Sequence, residues 1–533
     1  MGSDLLTLAK EAQKKHQWKK SIEYFEQYLH IQKDSSNETV YASYARSLRI
    51  SGRTAAAKKV LDEGKNQHAQ SERILLEYHN LYDLLGDWEA AKNVAISLIK
   101  LNPTHADYHF RLGRSYSFLK KYNKAKKTYQ IALKHKHGLS FEQLTEQIQK
   151  RFAENAQEVR SNYVYIDGKN NLGAFIHEYK GRKFFTKISK YTNKNNGAGR
   201  EENFYKDMCT SFSQLRNVVP EYIDSLVIDK ISYITVEMID SIDTNSIAKE
   251  DYLINVIKAS QQITSISYEQ LDNYPLPNYV FQFRKGRAIS VVHFFTQIHK
   301  EGYNQKLFQA VKAIMKQHRY PKAVHQLIER LETVIMDNEL YTFINPEKHY
   351  SLLHGDFAFQ NVLIKRENRN PSVIDWTSHT IGPHFIDIAR YFTSILLPYS
   401  EVKHLYLEND TNNKNLTMIE KIFFLYALVL FYFQKLGRQG LETELSDFIL
   451  PAVEDVEKLV LSFAQSKEGD QMIKDSELQL KVKELEIKQL KQKVTILEQE
   501  RKHLHKRLND TLNSKSWQLT APLRIFTENR KKR

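Results

Sequence analysis

Trp18, Thr54, Trp88 and Tyr122 recur at spacings of 36, 34 and 34 residues, and the small residues Ser21, Ala57, Ala91 and Ala125 recur three positions after each of them. A second set, Ala9, Ala45, His79 and Gly113, is also in step, with Leu48, Tyr82 and Tyr116 following three residues behind the last three. A unit of this length cannot bury its own apolar face, so a repeat near 34 residues forces the units to stack on one another. Small residues at a fixed place in each unit let two helices approach closely. His79 is large for that place, and only the third unit closes on a proline, Pro103.

These paired helices resemble the tetratricopeptide repeat. The resemblance implies an all-α helical repeat domain over residues 1–138 that binds a protein partner. Phe141 to Val159 reads as a closing helix, within a linker over 139–161.

A chain of 533 residues exceeds the roughly 250–300 residues over which one core keeps growing, so several domains are expected. The composition, 41% hydrophobic and 26% charged, is that of a packed globular protein. Cys209 is the single cysteine, which excludes an intramolecular disulfide and a cysteine-based zinc site and suits a cytoplasmic location. The opening residues mix charge into every turn, so no secretory signal is expected. The longest apolar run, Ile422 to Phe433, is too short to cross a bilayer and reads as a buried helix. Of the net charge of +15, residues Arg501 to Arg533 carry +8, ten Lys/Arg against two Asp/Glu. About half of the excess therefore sits in a C-terminal tail.

After residue 161 the pattern changes. NYVYIDG, AFIHEY and KFFTKIS are rich in β-branched and aromatic residues and are separated by the turn-like KNNLG and KGR. A helix around REENFYKDM, the strands EYIDSLVID and SYITVEMID, and a mostly helical stretch from Ser246 follow. The order is that of a small sheet lobe followed by a helical lobe.

The segment from Ser351 to Arg390 carries the chemistry. His354-Gly355-Asp356 ends an apolar strand, Asn361 follows five residues after Asp356, and VLI and SVID read as a hairpin delivering Asp375. Phosphoryl transfer needs oxygen ligands for Mg²⁺ and a carboxylate near the attacking hydroxyl, and two Asp and an Asn converging at one end of a small sheet could supply both.

HGDFAFQN followed by VIDW resembles the signature of the aminoglycoside phosphotransferase and choline kinase family. The resemblance implies an α+β bilobal kinase-like domain over 162–465 that uses ATP and Mg²⁺. It assigns Asp356 as catalytic base, Asn361 and Asp375 as metal ligands, and Asp387 as a structural carboxylate, with His354 structural as well. Lys187, on the third strand, then takes the place of the lysine that meets ATP phosphates, with Glu201 as its ion-pair partner and Glu202 the adjacent alternative. Glu237 and Met238, at the hinge beside adenine, would lend backbone groups. The chain departs from the glycine-rich loop pattern: only Gly168 and Gly173 flank KNNL.

Over 470–512, Ile473, Leu480, Ile487, Val494 and Leu508 fall at heptad steps, interleaved with Leu490, Leu497 and Leu504, and Ser476, Lys483 and Arg501 interrupt the seam. This predicts a coiled coil and a homo-oligomer. LNSKSWQLTAPLRIF, opening the basic tail 513–533, resembles a motif that closes coiled coils in bacterial surface-polysaccharide assembly proteins. Trp517, Leu519, Leu523, Ile525 and Phe526 beside RKKR suit peripheral contact with an anionic membrane. No nucleic-acid module is recognisable. The expected function is ATP-dependent phosphorylation of a hydroxyl on a sugar, glycan or small alcohol in bacterial surface-polysaccharide synthesis. The alternative is a catalytically weak kinase-like scaffold.

Overall fold

The computed structural model describes residues 2–32, 37–151, 153, 156–166, 168, 170–195, 197–244, 247–271, 274, 290–300, 302–318, 320–337, 339–413, 415–436, 445–466 and 476–513. The basic tail beyond residue 513 and Ile473 lie outside the described residues. Contacts group the chain into two units: the described residues up to Ile298 with Asn345–Leu397, and His299–Ile344 with the described residues from Pro398 on.

The first unit opens with helices α1 (Gly2–Lys14), α2 (Trp18–Ile31), α3 (Glu38–Ile50), α4 (Thr54–Gln67), α5 (Glu72–Leu85), α6 (Trp88–Leu101), α7 (Ala106–Phe118) and α8 (Tyr122–His137). Trp18, Thr54, Trp88 and Tyr122 each open the second helix of a pair. Ser21, Ala57, Ala91 and Ala125 are fully buried. The small residues act as expected: a Cβ on Gly113 would lie 2.5 Å from the Tyr129 ring. His79 is accommodated because Arg111 Nη1 meets its Nδ1 at 3.1 Å. Trp88 stacks on Phe118 at 3.9 Å between ring centres, closing the third pair onto the fourth.

The closing helix is shorter than the sequence suggests. α9 spans Phe141–Gln149, begins in a Ser140/Gln143 capping box, and gives way to a 3₁₀ turn at Ala156–Glu158. Five antiparallel strands follow: β1 (Arg160–Val164), β2 (Asn171–Tyr179), β3 (Arg182–Lys190), β4 (Tyr222–Ile228) and β5 (Ile231–Glu237), in the order β1-β2-β3-β5-β4. Lys180 and Gly181 both take positive φ in the two-residue β2–β3 turn, the backbone that matches strand twist. Asp229 and Lys230 do the same at β4–β5 without a glycine, and His137 Nδ1 meets Asp229 Oδ2 at 3.0 Å.

The repeats and the sheet share one apolar core. Phe110, Tyr129 and Leu133 of α7 and α8 pack in a cluster with Tyr163, Phe175, Ile188 and Tyr233 of the sheet. Between β3 and β4 lies α10 (Ala198–Asn203), continued by a π turn at Phe204–Met208. After β5 comes α11 (Glu250–Thr264). Strand β6 (Tyr350–Leu353) pairs with β9 (Thr380–Pro383), and β7 (Val362–Ile364) pairs with β8 (Pro371–Val373). The hairpin delivering Asp375 is therefore present, but the strand ending in His354-Gly355-Asp356 belongs to a separate pair.

In the second unit, Ile422–Phe433 lies in the helix Met418–Leu436 and is buried throughout, as its apolar run predicts. Arg330 and Glu457, both largely buried, form a two-pronged ion pair at 2.9 and 2.6 Å between the helices Lys322–Met336 and Leu450–Gln465. A 38-residue helix, Ser476–Asn513, follows. Among the described residues no helix is long and apolar enough to cross a membrane.

Candidate active site

Lys187, Glu201, Glu237, Met238, Asp356, Asn361 and Asp375 all line one cavity of about 700 Å³. Lys187 stands on β3 opposite Ala174 and Ile234, held between two central strands. Its Nζ lies 2.9 Å from Glu201 Oε2 and 2.8 Å from Asp375 Oδ1. Glu202 is excluded as its partner, because that carboxylate meets Lys206 Nζ at 2.6 Å and accepts from Ser225 Oγ at 2.7 Å.

Burial disfavours the Lys187 ammonium, but the Glu201 and Asp375 carboxylates outweigh it and hold its pKa above the ordinary lysine value. Burial also works against the Asp375 carboxylate, and Lys187 overcomes it, keeping that group below its usual range. Glu201 is pushed up, by burial first. A single cation thus bridges two acids and leaves excess negative charge beside the cavity.

Asp375 has φ +64°, a left-handed backbone that costs a residue with a side chain about 1–3 kcal/mol. Several contacts hold it there. Thr377 Oγ1 donates to Asp375 Oδ1 at 3.0 Å. The adjacent Trp376 is fully buried, stacks on Phe204 at 3.8 Å and donates Nε1 to Val373 O. Phe204 directly follows α10, so the same stacking fixes Glu201 relative to Asp375.

Asp356 is set by its neighbours in the motif. Buried Asp387 accepts from the N–H groups of His354 and Gly355 at 2.5 and 3.1 Å. Burial pushes its carboxyl up to about 7, against those two donors. His354 Nε2 faces Ile374 O at 2.9 Å, and the Asp356 N–H reaches Nδ1 at 3.3 Å, which together require the Nε2–H tautomer. Gly355 has φ +79°, and a Cβ there would meet Ser378 O at 2.1 Å. Asn361 Nδ2 donates to Asp356 O at 2.9 Å, which turns Asn361 Oδ1 away from that bond.

The donor set suits Mg²⁺. One carboxylate and one amide oxygen, completed by phosphate oxygens and water, is the arrangement this ion favours. Asp375 Oδ1 is occupied by Lys187 and Thr377, and Oδ2 remains for a ligand. Among the described residues no group of three or more His, Cys, Asp or Glu could form an all-protein metal cage.

Two features add to the sequence reading. The N–H groups of Glu237 and Met238 are donated to Glu221 O and Lys183 O at 2.8 and 3.0 Å, so neither N–H is available to a base. Ile239, the next residue, also lines the cavity. Arg390, outside the motif residues, places its Nη2 3.0 Å from Asp356 Oδ1. Its only sequence signal is its position one turn after Asp387 on the helix Ile386–Ser394. Where the glycine-rich loop would stand, Ile166, Gly168 and Asn171 line the cavity. That loop is tied to the repeats: Tyr165 hydrogen-bonds Ser117 and stacks on Tyr122 at 5.1 Å.

Among solved structures, the chain is similar to spectinomycin phosphotransferase APH(9)-Ia, crystallised with ADP and spectinomycin, at 15% identity over 57% of this chain and 92% of that one, with a TM-score of 0.35. It is also similar to the MamA protein, at 17% identity over 28% of this chain and 79% of that one, TM-score 0.24. A tetratricopeptide repeat protein from Parabacteroides merdae matches at 19% identity over 28% of this chain and 59% of that one, TM-score 0.25. No curated protein matches the chain significantly. The model of the phosphotransferase enzyme family, APH, matches residues 272–401. That match spans the segment bearing Asp356, Asn361, Asp375 and Arg390.

Proposed function

We propose that the protein transfers the γ-phosphoryl group of ATP to a hydroxyl of a sugar, glycan or related small alcohol, within bacterial surface-polysaccharide synthesis. The observation that carries this reading is Lys187, whose Nζ bridges Glu201 and Asp375 at 2.9 and 2.8 Å on the wall of the cavity that Asp356 and Asn361 also line. Lys187 neutralises phosphate oxygens, Asp375 and Asn361 would hold Mg²⁺, and Asp356 accepts the hydroxyl proton as the acceptor oxygen bonds to phosphorus and ADP leaves. When bound, the ion supplies charge neutralisation across the phosphates. The carbonyls of Glu237 and Met238 meet the adenine, and the repeats dock a protein partner. The single cysteine, Cys209, favours a reducing cytoplasm, and the basic tail favours contact with an anionic membrane surface.

The test is ADP release by purified protein against a panel of sugars, lipid-linked glycans and amino alcohols, with Asp356→Asn alongside. At least one acceptor should stimulate release in the parent and not in the variant. If none does, and parent and variant have the same basal rate, the scaffold reading replaces this one.

A further inference from the structure

The helix Ser476–Asn513 has two sides with different fates. Leu485 is 5% exposed, whereas Ile487, Leu490, Val494, Leu497 and Leu504 are 53–63% exposed. At 100° per residue, Leu485 stands opposite the line through those five side chains. The helix touches the helix Leu450–Gln465 of its own unit and turns its apolar seam outward. A bare stripe of five large aliphatic side chains is not stable in water on a lone helix.

We propose that this seam is covered by the same seam of a second copy of the chain, the two helices lying parallel and in register as a two-stranded coil. Between Ile487 and Leu504, the exposed stretch, the apolar seam residues separate by type. Ile487 and Val494, both β-branched, occupy the first seam position, and Leu490, Leu497 and Leu504 the second, the combination that favours two parallel strands over three or four. The flanking charges complement each other in the same arrangement. Lys493 faces Glu498 of the second copy, a contact made twice. Arg501 interrupts the first position. A parallel, in-register pair gathers both Arg501 side chains into one layer flanked by the two Glu500 carboxylates. An antiparallel pair would set each Arg501 against a leucine in a separate apolar layer.

The 533-residue chain should have a mass in light scattering of about 125 kDa, twice its own 62.6 kDa. A three-chain mass would overturn the two-stranded assignment. A mass of 62.6 kDa at micromolar concentration would overturn the second copy as occupant and leave the seam to a different protein. Orientation is read by oxidation in a Cys209→Ser background: Leu490→Cys and Leu504→Cys should each form disulfide-linked dimers. An antiparallel pair can satisfy at most one of the two, so failure of either overturns the parallel register. Glu498→Lys should raise the dimer dissociation constant at least tenfold, and adding Lys493→Glu should restore it. Loss without restoration overturns the charge pairing. Leu490→Lys with Leu497→Lys should give a monomer with unchanged melting of the remaining units, and a persistent dimer would overturn the seam itself.

Discussion

Arg390 Nη2 lies 3.0 Å from Asp356 Oδ1, while Asn361 Nδ2 donates to the main-chain oxygen of the same aspartate at 2.9 Å. The side chain and the backbone of the proposed base are thus oriented by two different elements, the helix Ile386–Ser394 and the turn before β7. The Arg390–Asp356 pair is about a third exposed on each side, and exposed ion pairs contribute only about 0.2–1 kcal/mol to stability. Its importance should therefore be visible in turnover. Arg390→Ala should leave the melting temperature within about 2 °C of the parent while lowering kcat by about tenfold, with Arg390→Lys in between. Calorimetry and steady-state kinetics check this, and an unchanged kcat would remove Arg390 from the positioning of Asp356.

Asp356→Asn keeps the shape of the side chain and removes its ability to take a proton. General-base catalysis typically contributes about 10²–10⁴-fold, so turnover should fall by that range. Nucleotide affinity should be nearly unchanged, because the role is exercised on the acceptor. Titration with an ATP analogue followed by calorimetry separates the two quantities. Retained turnover would take Asp356 out of the mechanism.

Lys187→Met leaves two carboxylates facing each other without their shared cation. Breaking a buried ion pair from one side costs about 3–5 kcal/mol, since the remaining charge is uncompensated. Lys187 is 13% and Glu201 4% exposed at the side chain, so most of that range applies to this pair. Adding Glu201→Gln should recover stability, because a neutral amide needs no counter-charge, but should not recover phosphoryl transfer. Chemical denaturation of the single and double variants gives the coupling directly. A double variant no more stable than Lys187→Met would mean that Glu201 is not the group left exposed to the loss.

How much of this arrangement can be read from sequence depends on how local each signal is. Asp356 and Asn361 sit five residues apart in one turn, and Asp375 follows a hairpin, so spacing alone brings them together. The repeat register was readable because it depends on periodicity, and each second helix begins at Trp18, Thr54, Trp88 or Tyr122. Lys187 could be placed by strand order, but the choice of Glu201 over Glu202 depends on which face of α10 turns inward, which the Phe204–Trp376 stack decides. The Arg390–Asp356 contact joins residues 34 apart through tertiary packing and leaves no mark on spacing. The core shared by Phe110 and Phe175 was hidden for the same reason, since both residues read equally well as interior to separate domains.

The last prediction concerns acid. His79 in the repeats and His379 beside Trp376 are held down to about 3, and His177 in the sheet to about 4, by burial first in each case. The Arg111 and Arg114 charges add to this for His79, and Arg200 for His379. In an unfolded chain each imidazole titrates near 6.5. Between these values the unfolded state binds protons that the native rings refuse, so stability rises with pH and is lost as pH falls through 6.5. Asp387 works in the opposite sense. Raised to about 7, it keeps a proton in the native state that an unfolded aspartate loses near 4, so from about 4 to 7 its contribution falls as pH rises. It offsets one of the three histidines. For these four groups taken alone the slope is that of two, about 2–3 kcal/mol per pH unit in the middle of the window, which is large against the roughly 5–15 kcal/mol that holds a domain together. Urea midpoints measured from pH 7.5 down to 4.5 should therefore drop steeply below about 6.5. Asp387→Asn should steepen the dependence and His79→Gln should flatten it for the repeats. A midpoint that stays level or rises as the solution is acidified would contradict the assignment of these rings as buried and neutral.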